Sequence, residues 1–170
     1  MASKIVNYFL NVFSGLTSIP LGPEIFIFLL SASPILELRG GILAATILHM
    51  NPIESYIICV IANIIPVPFL LWGMGATLEK MRKSRRFYKF ANWLDKKVEK
   101  NRIVIEKYGF WGVVGFVGIP VPGTGAWTGC LVASVVDMDK KKAFLATLVG
   151  ILIASIIMML VSFGLLSKIV

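Results

Sequence analysis

The sequence predicts an all-α integral membrane protein built from two inverted repeats. Each repeat is a re-entrant helical hairpin followed by a transmembrane helix, and a basic cytoplasmic amphipathic helix joins them. Three observations carry this reading. The 170 residues are 57% hydrophobic and only 15% charged, with mean hydropathy +0.84, whereas soluble domains carry about 25% charged residues. Two segments are long and apolar enough to cross a hydrocarbon core of about 30 Å, and two more are interrupted before they could. Of the 17 Lys and Arg residues, 11 fall between Glu79 and Tyr108. The formal charge of +8 is therefore a topology signal and gives no reason to expect nucleic acid as a partner.

Residues 1–22 read as an amphipathic interfacial helix, with Ile5, Phe9, Val12, Phe13 and Leu16 on one face and Pro20, Gly22 and Pro23 ending it. A short first span is the rival reading, and no cleavable signal peptide is expected. Repeat 1 covers 23–78. Its hairpin, 23–50, has a first limb from Glu24 to Leu36 that rises only about 20 Å as helix. The chain then meets Glu37-Leu38-Arg39-Gly40-Gly41, expected to form the broken tip, and resumes at Ile42. The transmembrane helix, 53–78, starts from a cap, Asn51-Pro52-Ile53-Glu54, and carries Asn63, Pro66 and Pro68 in mid-span. The linker, 79–108, places Phe87, Phe90, Ala91, Leu94 and Val98 on one face among basic residues, as on an anionic cytoplasmic leaflet; a solvated basic loop is the alternative. Repeat 2 covers 109–166. Its hairpin, 109–137, turns at Pro120-Val121-Pro122-Gly123-Thr124-Gly125, and its transmembrane helix, 140–166, follows the cap Asp137-Met138-Asp139. A kinked full span is the alternative for each hairpin.

An offset of 88 residues places Pro34 on Pro122, Gly41 on Gly129, Leu43 on Leu131, Ala45 on Ala133 and the cap Asn51 on Asp139. One span separates the two copies, so the second is inverted. The basic linker and Lys140–Lys142 then share the cytoplasmic side. Facing broken hairpins of opposite direction are a transporter pattern.

Within this frame, Glu37 and Arg39 are the sharpest candidates, because a charge near the bilayer centre costs on the order of 2.5–3.5 kcal/mol and needs a partner or a cavity. Glu37 could carry a proton and Arg39 hold an anion or headgroup; a structural ion pair is the bland alternative. Gly40 and Gly41 belong to the same tip. Pro122, Gly123, Thr124 and Gly125, with Trp127 and Thr128 after them, set a helix start suited to a phosphate or carboxylate, or simply turn the chain tightly. Asn63 either satisfies the carbonyl that Pro66 frees or lines the pathway. His49 reads as interfacial. Cys59 and Cys130 read as small buried hydrophobes, not as a disulfide or a metal site. The stripes Gly109, Gly112, Gly115, Gly118 and Ala146, Gly150, Ala154 suit close helix packing.

The motifs Ser33-Pro34-Ile35-Leu36-Glu37-Leu38-Arg39-Gly40-Gly41-Ile42 and Gly118-Ile119-Pro120-Val121-Pro122-Gly123-Thr124-Gly125-Ala126-Trp127-Thr128-Gly129 resemble the small multidrug export protein family, which looks like a distant branch of the DedA superfamily of membrane transporters. The resemblance implies proton-coupled transport, or translocation of a phospholipid or of undecaprenyl phosphate. The chain departs from DedA proteins in having no arginine between Tyr108 and Asp137. The expectation is therefore a multi-pass transporter of a prokaryotic inner membrane, homodimeric, with protons and an anionic lipid or small molecule as ligands. A small-molecule/proton antiporter and a non-transporting scaffold are the alternatives. No cofactor is expected, and no nucleophile triad or metal cluster suggests an enzyme.

Overall fold

A computed structural model describes residues 20–73, 88–121 and 123–165. Among them every regular element is helical. Residues 1–19 of the interfacial helix expected at 1–22, the stretches 74–87 and 166–170 and Pro122 lie outside the described residues. So do the side chains of the linker's expected apolar face.

Helix α1 (Gly22–Ala32) has proline at its second position and Glu24 in its first turn. It ends because Pro34 pushes the residue before it out of the helical region: Ser33 is extended, with φ −74 and ψ 146. The Ser33 hydroxyl donates to the Leu30 carbonyl at 2.7 Å, closing the helix end. Helix α2 (Glu37–Ile47) follows after four residues and packs on α1. This corrects the expected tip at 37–41. The break is at 33–36, and Glu37, Arg39, Gly40 and Gly41 lie in the first turns of α2. Glycines end a helix only when nothing uses the space they leave. Here a Cβ on Gly40 would overlap the Leu36 side chain, and one on Gly41 would overlap Ser31 Oγ and lie 2.9 Å from Cys59 Sγ.

Helix α3 (Pro52–Ile64) starts under Asn51, whose Oδ1 accepts from the N–H groups of Ile53 and Glu54 at 2.9 and 3.4 Å. The helix is interrupted at Ile65, before Pro66, and resumes over 66–73. Helix α4 (Tyr88–Gly118) joins the linker to the first limb of repeat 2, kinked at Gly109 with φ 53 and ψ −123. After a break at 119–125 come α5 (Ala126–Val135), packed on α4, and α6 (Lys140–Met159), which widens into π-helical turns over Leu160–Leu165. Two stretches, Pro52–Gly73 and Lys140–Gly164, are long and apolar enough to cross a membrane. The first exposes Ile53, Ile57, Ile61, Ile65 and Phe69. A fourfold stripe of exposed isoleucines suits lipid as the solvent.

Six of the seven positive-φ residues among the described ones fall in pairs at the offset of 88 residues, Gly123 being the exception. Left-handed or otherwise positive φ occurs at Leu21 and Gly109, at Glu37 and Gly125, and at His49 and Asp137. Each pair is 88 residues apart. The ends of α2 and α5 match as well: Met50 N–H donates to the Ala45 carbonyl and Met138 N–H to the Ala133 carbonyl, both at 3.0 Å. This is the helix-ending motif in which one left-handed residue lets the chain bond back to the last turn. It explains His49, an exposed residue of a type that enters this region more readily than most. The caps also coincide, since the Asp139 Oδ1 accepts from Lys142 N–H at 2.9 Å.

The chain packs as two compact units, one of residues up to 64 with those from 152 onward, the other of residues 65–151. The first unit buries Phe26, Ile27, Leu30, Leu38, Ile42 and Cys59. The second packs α5 and α6 closely: added Cβ atoms at Gly129 and Gly150 would each fall 2.6 Å from the Val117 side chain. Both cysteines are free and buried.

Candidate functional site

Buried polarity is concentrated in the first unit. Six of the eight buried polar side chains among the described residues are Ser31, Glu37, Ser55, Asn63, Ser155 and Ser162, all in that unit. Two of these have an evident local use. Ser55 Oγ donates to the Asn51 carbonyl at 2.8 Å, and Ser155 Oγ lies 3.2 Å from Tyr56 Oη.

Glu37 and Asn63 are different. Helices α2 and α3 pack together and are joined by the short connection 48–51, which makes them antiparallel neighbours. Glu37 lies 11 residues before Leu48 and Asn63 lies 12 after Asn51. At 1.5 Å per residue both stand about 17 Å from that connection, at the same height as the break after α1. On this spacing Glu37, Arg39, Asn63, Ser31 and Ser33 fall at about one level of the unit. Glu37 is 6% and Asn63 3% exposed, while Arg39 is half-buried.

Residues two apart on a regular helix face nearly opposite ways. Glu37 escapes this because its φ is +52, so its side chain does not follow the helical progression that starts with Leu38. Burial is the larger influence on the Arg39 guanidinium and disfavours its charge, and the nearby Glu37 carboxylate offsets part of that. The Asn63 Oδ1 is buried with no hydrogen-bond partner. The expected bond from Asn63 to the carbonyl freed by Pro66 would need an N–H donor; the oxygen is left over in either case.

The second break is in the other unit. Gly123 has φ 93 and is exposed, and Gly125, with φ 151, is the buried residue preceding α5. The Thr124 hydroxyl is shared between the carbonyls of Ile119 and Val121, 2.9 Å from each, and its N–H donates to Val121. That hydroxyl holds the turn, which was not legible from its type. Thr128 is buried and Trp127 half-buried. Sequence reasoning passed over Glu24, whose Oε2 is buried without a partner; a carboxylate within an apolar limb was the available signal. No group of three or more His, Cys, Asp or Glu side chains among the described residues is placed to hold a metal.

Residues 37–157, from the start of α2 through the second break and into α6, match the family described as "Putative small multi-drug export protein". The chain belongs to this family. No curated protein and no solved structure matches it significantly. Family membership and the two membrane-capable helices together point to a membrane location.

Proposed function

We propose that the chain is a proton-coupled membrane transporter whose central site is Glu37, Arg39 and Asn63. Its substrate is a small amphiphile with an acidic group; the export named in the family's description supports membrane transport, and the coupling at this site moves substrate and proton in the same direction. The observation that carries the reading is Glu37: a buried carboxylate on left-handed backbone, level with an orphaned amide oxygen and close to Arg39. An acidic group that takes over Arg39 leaves Glu37 buried without its cation, and a buried carboxylate in that position takes a proton. Substrate and proton then load together and leave together. In this reading the two broken helix pairs are re-entrant and inverted, the basic segment lies on the cytoplasmic leaflet of a prokaryotic inner membrane, and the protein works as a homodimer.

Translocation of an anionic lipid, as in the DedA superfamily, is the second reading; Arg39 favours it because a guanidinium also grips a phosphate. Export of a simple organic cation is disfavoured by Arg39 beside the carboxylate.

The test is flux into proteoliposomes with and without a pH gradient, using acidic amphiphiles and, in a separate arm, a labelled lipid phosphate. Glu37→Gln should remove the response to the gradient while substrate still binds. Arg39→Ala should weaken binding roughly 10- to 100-fold, the loss of a charge-assisted hydrogen bond or two, and Arg39→Lys should recover only part. Full gradient dependence in Glu37→Gln would make the pair structural.

A further inference from the structure

The second unit carries a groove of about 370 Å³ on the 110–118 stretch of α4, with Tyr108, Trp111, Gly112, Gly115, Phe116 and Ile119 among its lining residues. Its origin is the glycine stripe, and not every glycine of the chain does the same work. Gly129 and Gly150 sit where a Cβ would collide with Val117, whereas a Cβ on Gly115 would meet nothing within 4 Å. Gly115 therefore leaves an open trench, with no packing contact to serve. Thr124 also lines the groove, with its hydroxyl turned to the Ile119 and Val121 carbonyls.

The two ends of the groove differ in chemistry. At Tyr108 the Lys107 Nζ lies 5.3 Å from the ring centroid, and Tyr108 and Trp111 are 57% and 72% exposed. Tyrosine and tryptophan collect at the headgroup level of a bilayer. The 88–108 stretch leading to this end carries Lys89, Lys96, Lys97, Lys100, Arg102 and Lys107 against Asp95, Glu99 and Glu106, a net positive approach. Beyond the kink at Gly109, the helix from Phe110 to Gly118 rises about 12 Å, close to one leaflet of a hydrocarbon core about 30 Å thick.

We infer that this groove holds the acyl chain of an anionic phospholipid, with its headgroup at Lys107 and the chain running towards Thr124. The pairing of a basic, aromatic mouth with an apolar trench close to one leaflet long selects this occupant. A second copy of the chain would fill the trench but leave the basic mouth unused. The groove belongs to the second unit and Glu37 and Arg39 to the first, and the lipid is a resident, not cargo.

Native mass spectrometry of the full-length protein, from nanodiscs of equal phosphatidylglycerol and phosphatidylcholine with identical chains, tests this without any gradient or transport. Its result is therefore independent of the transport reading. The wild type should retain one lipid per protomer, favouring phosphatidylglycerol about five-fold, as one lysine near a headgroup provides. Gly115→Leu should fill the trench and lose the lipid, with an unchanged or higher melting temperature, because the added side chain enters open space and leucine favours helix. Lys107→Gln should keep a lipid but lose the preference. Benzoylphenylalanine in place of Ile119 should cross-link to phospholipid on illumination, a readout that stands even if Gly115→Leu misfolds. Cross-links to a second copy or to residues 1–19, or undiminished lipid in a folded Gly115→Leu variant, would overturn the inference.

Discussion

Glu37 is held at φ +52, a conformation that costs a residue with a side chain roughly 1–2 kcal/mol, and its counterpart 88 residues on is Gly125, also at positive φ but at 151 with ψ −174, a region open to glycine. Repeat 1 therefore keeps a carboxylate where repeat 2 has a glycine. Strain of this kind persists where surrounding structure enforces it, often at functional positions. The enforcement here comes from behind, at Gly41, where α1 and α3 close in through Ser31, Cys59 and the Ile27 carbonyl. Gly41→Ala should destabilise the protein by about 1–3 kcal/mol, the usual result of overfilling a packed core, read as a lower melting temperature in detergent. Gly115→Ala, where a Cβ meets nothing, should be neutral or raise stability by about 0.5–1 kcal/mol. Equal effects at the two positions would mean that the close approach behind Glu37 is not what holds it.

At the scale of elements, the offset of 88 residues extends from sequence to backbone hydrogen bonds. Asn51 and Asp139 each cap the long helix of their repeat by accepting from the N–H three residues on, Glu54 at 3.4 Å and Lys142 at 2.9 Å. Alanine at either position should cost about 1 kcal/mol. The best bond of each cap is 2.9 Å, but Asp139 puts a full charge at the positive end of its helix, so Asp139→Ala should be the more harmful of the two. Thermal unfolding in one detergent checks both the size and the order. Loss of one cap alone having an effect would argue that the two helix starts are not equivalent in energy, whatever their geometry.

For the whole molecule, the charge distribution makes a topological prediction. With 11 basic residues in 79–108 and three more at 140–142, against Lys4 and Lys168 near the ends, the basic segment belongs on the cytoplasmic side. Polar thiol reagents should reach Lys97→Cys only from the cytoplasm and Lys168→Cys only from outside. Ser33→Cys and Thr124→Cys, at the two breaks, should react from opposite sides. The native Cys59 and Cys130 are buried and should give little background. Labelling of both breaks from one side would rule out the inverted arrangement.

Much of the fold was legible in the sequence because the signals concerned are local. Pro34, Pro66 and the caps at Asn51 and Asp139 act through neighbours within one helical turn, and hydropathy over about 20 residues is a sum that needs no tertiary contact. The family's two motifs were legible for the same reason. Tertiary structure decided what each glycine does. Gly40-Gly41 read as a broken tip, yet α2 runs through both, because Leu36, Ser31 and Cys59 occupy the space where side chains would stand. Gly115 and Gly150 looked alike in their stripes; one opens a groove and the other seats Val117. The pairing of Glu37 with Arg39 likewise needed the left-handed turn at Glu37. A glycine's meaning is set by residues distant in the chain that approach it, and a sequence read one turn at a time does not contain that approach.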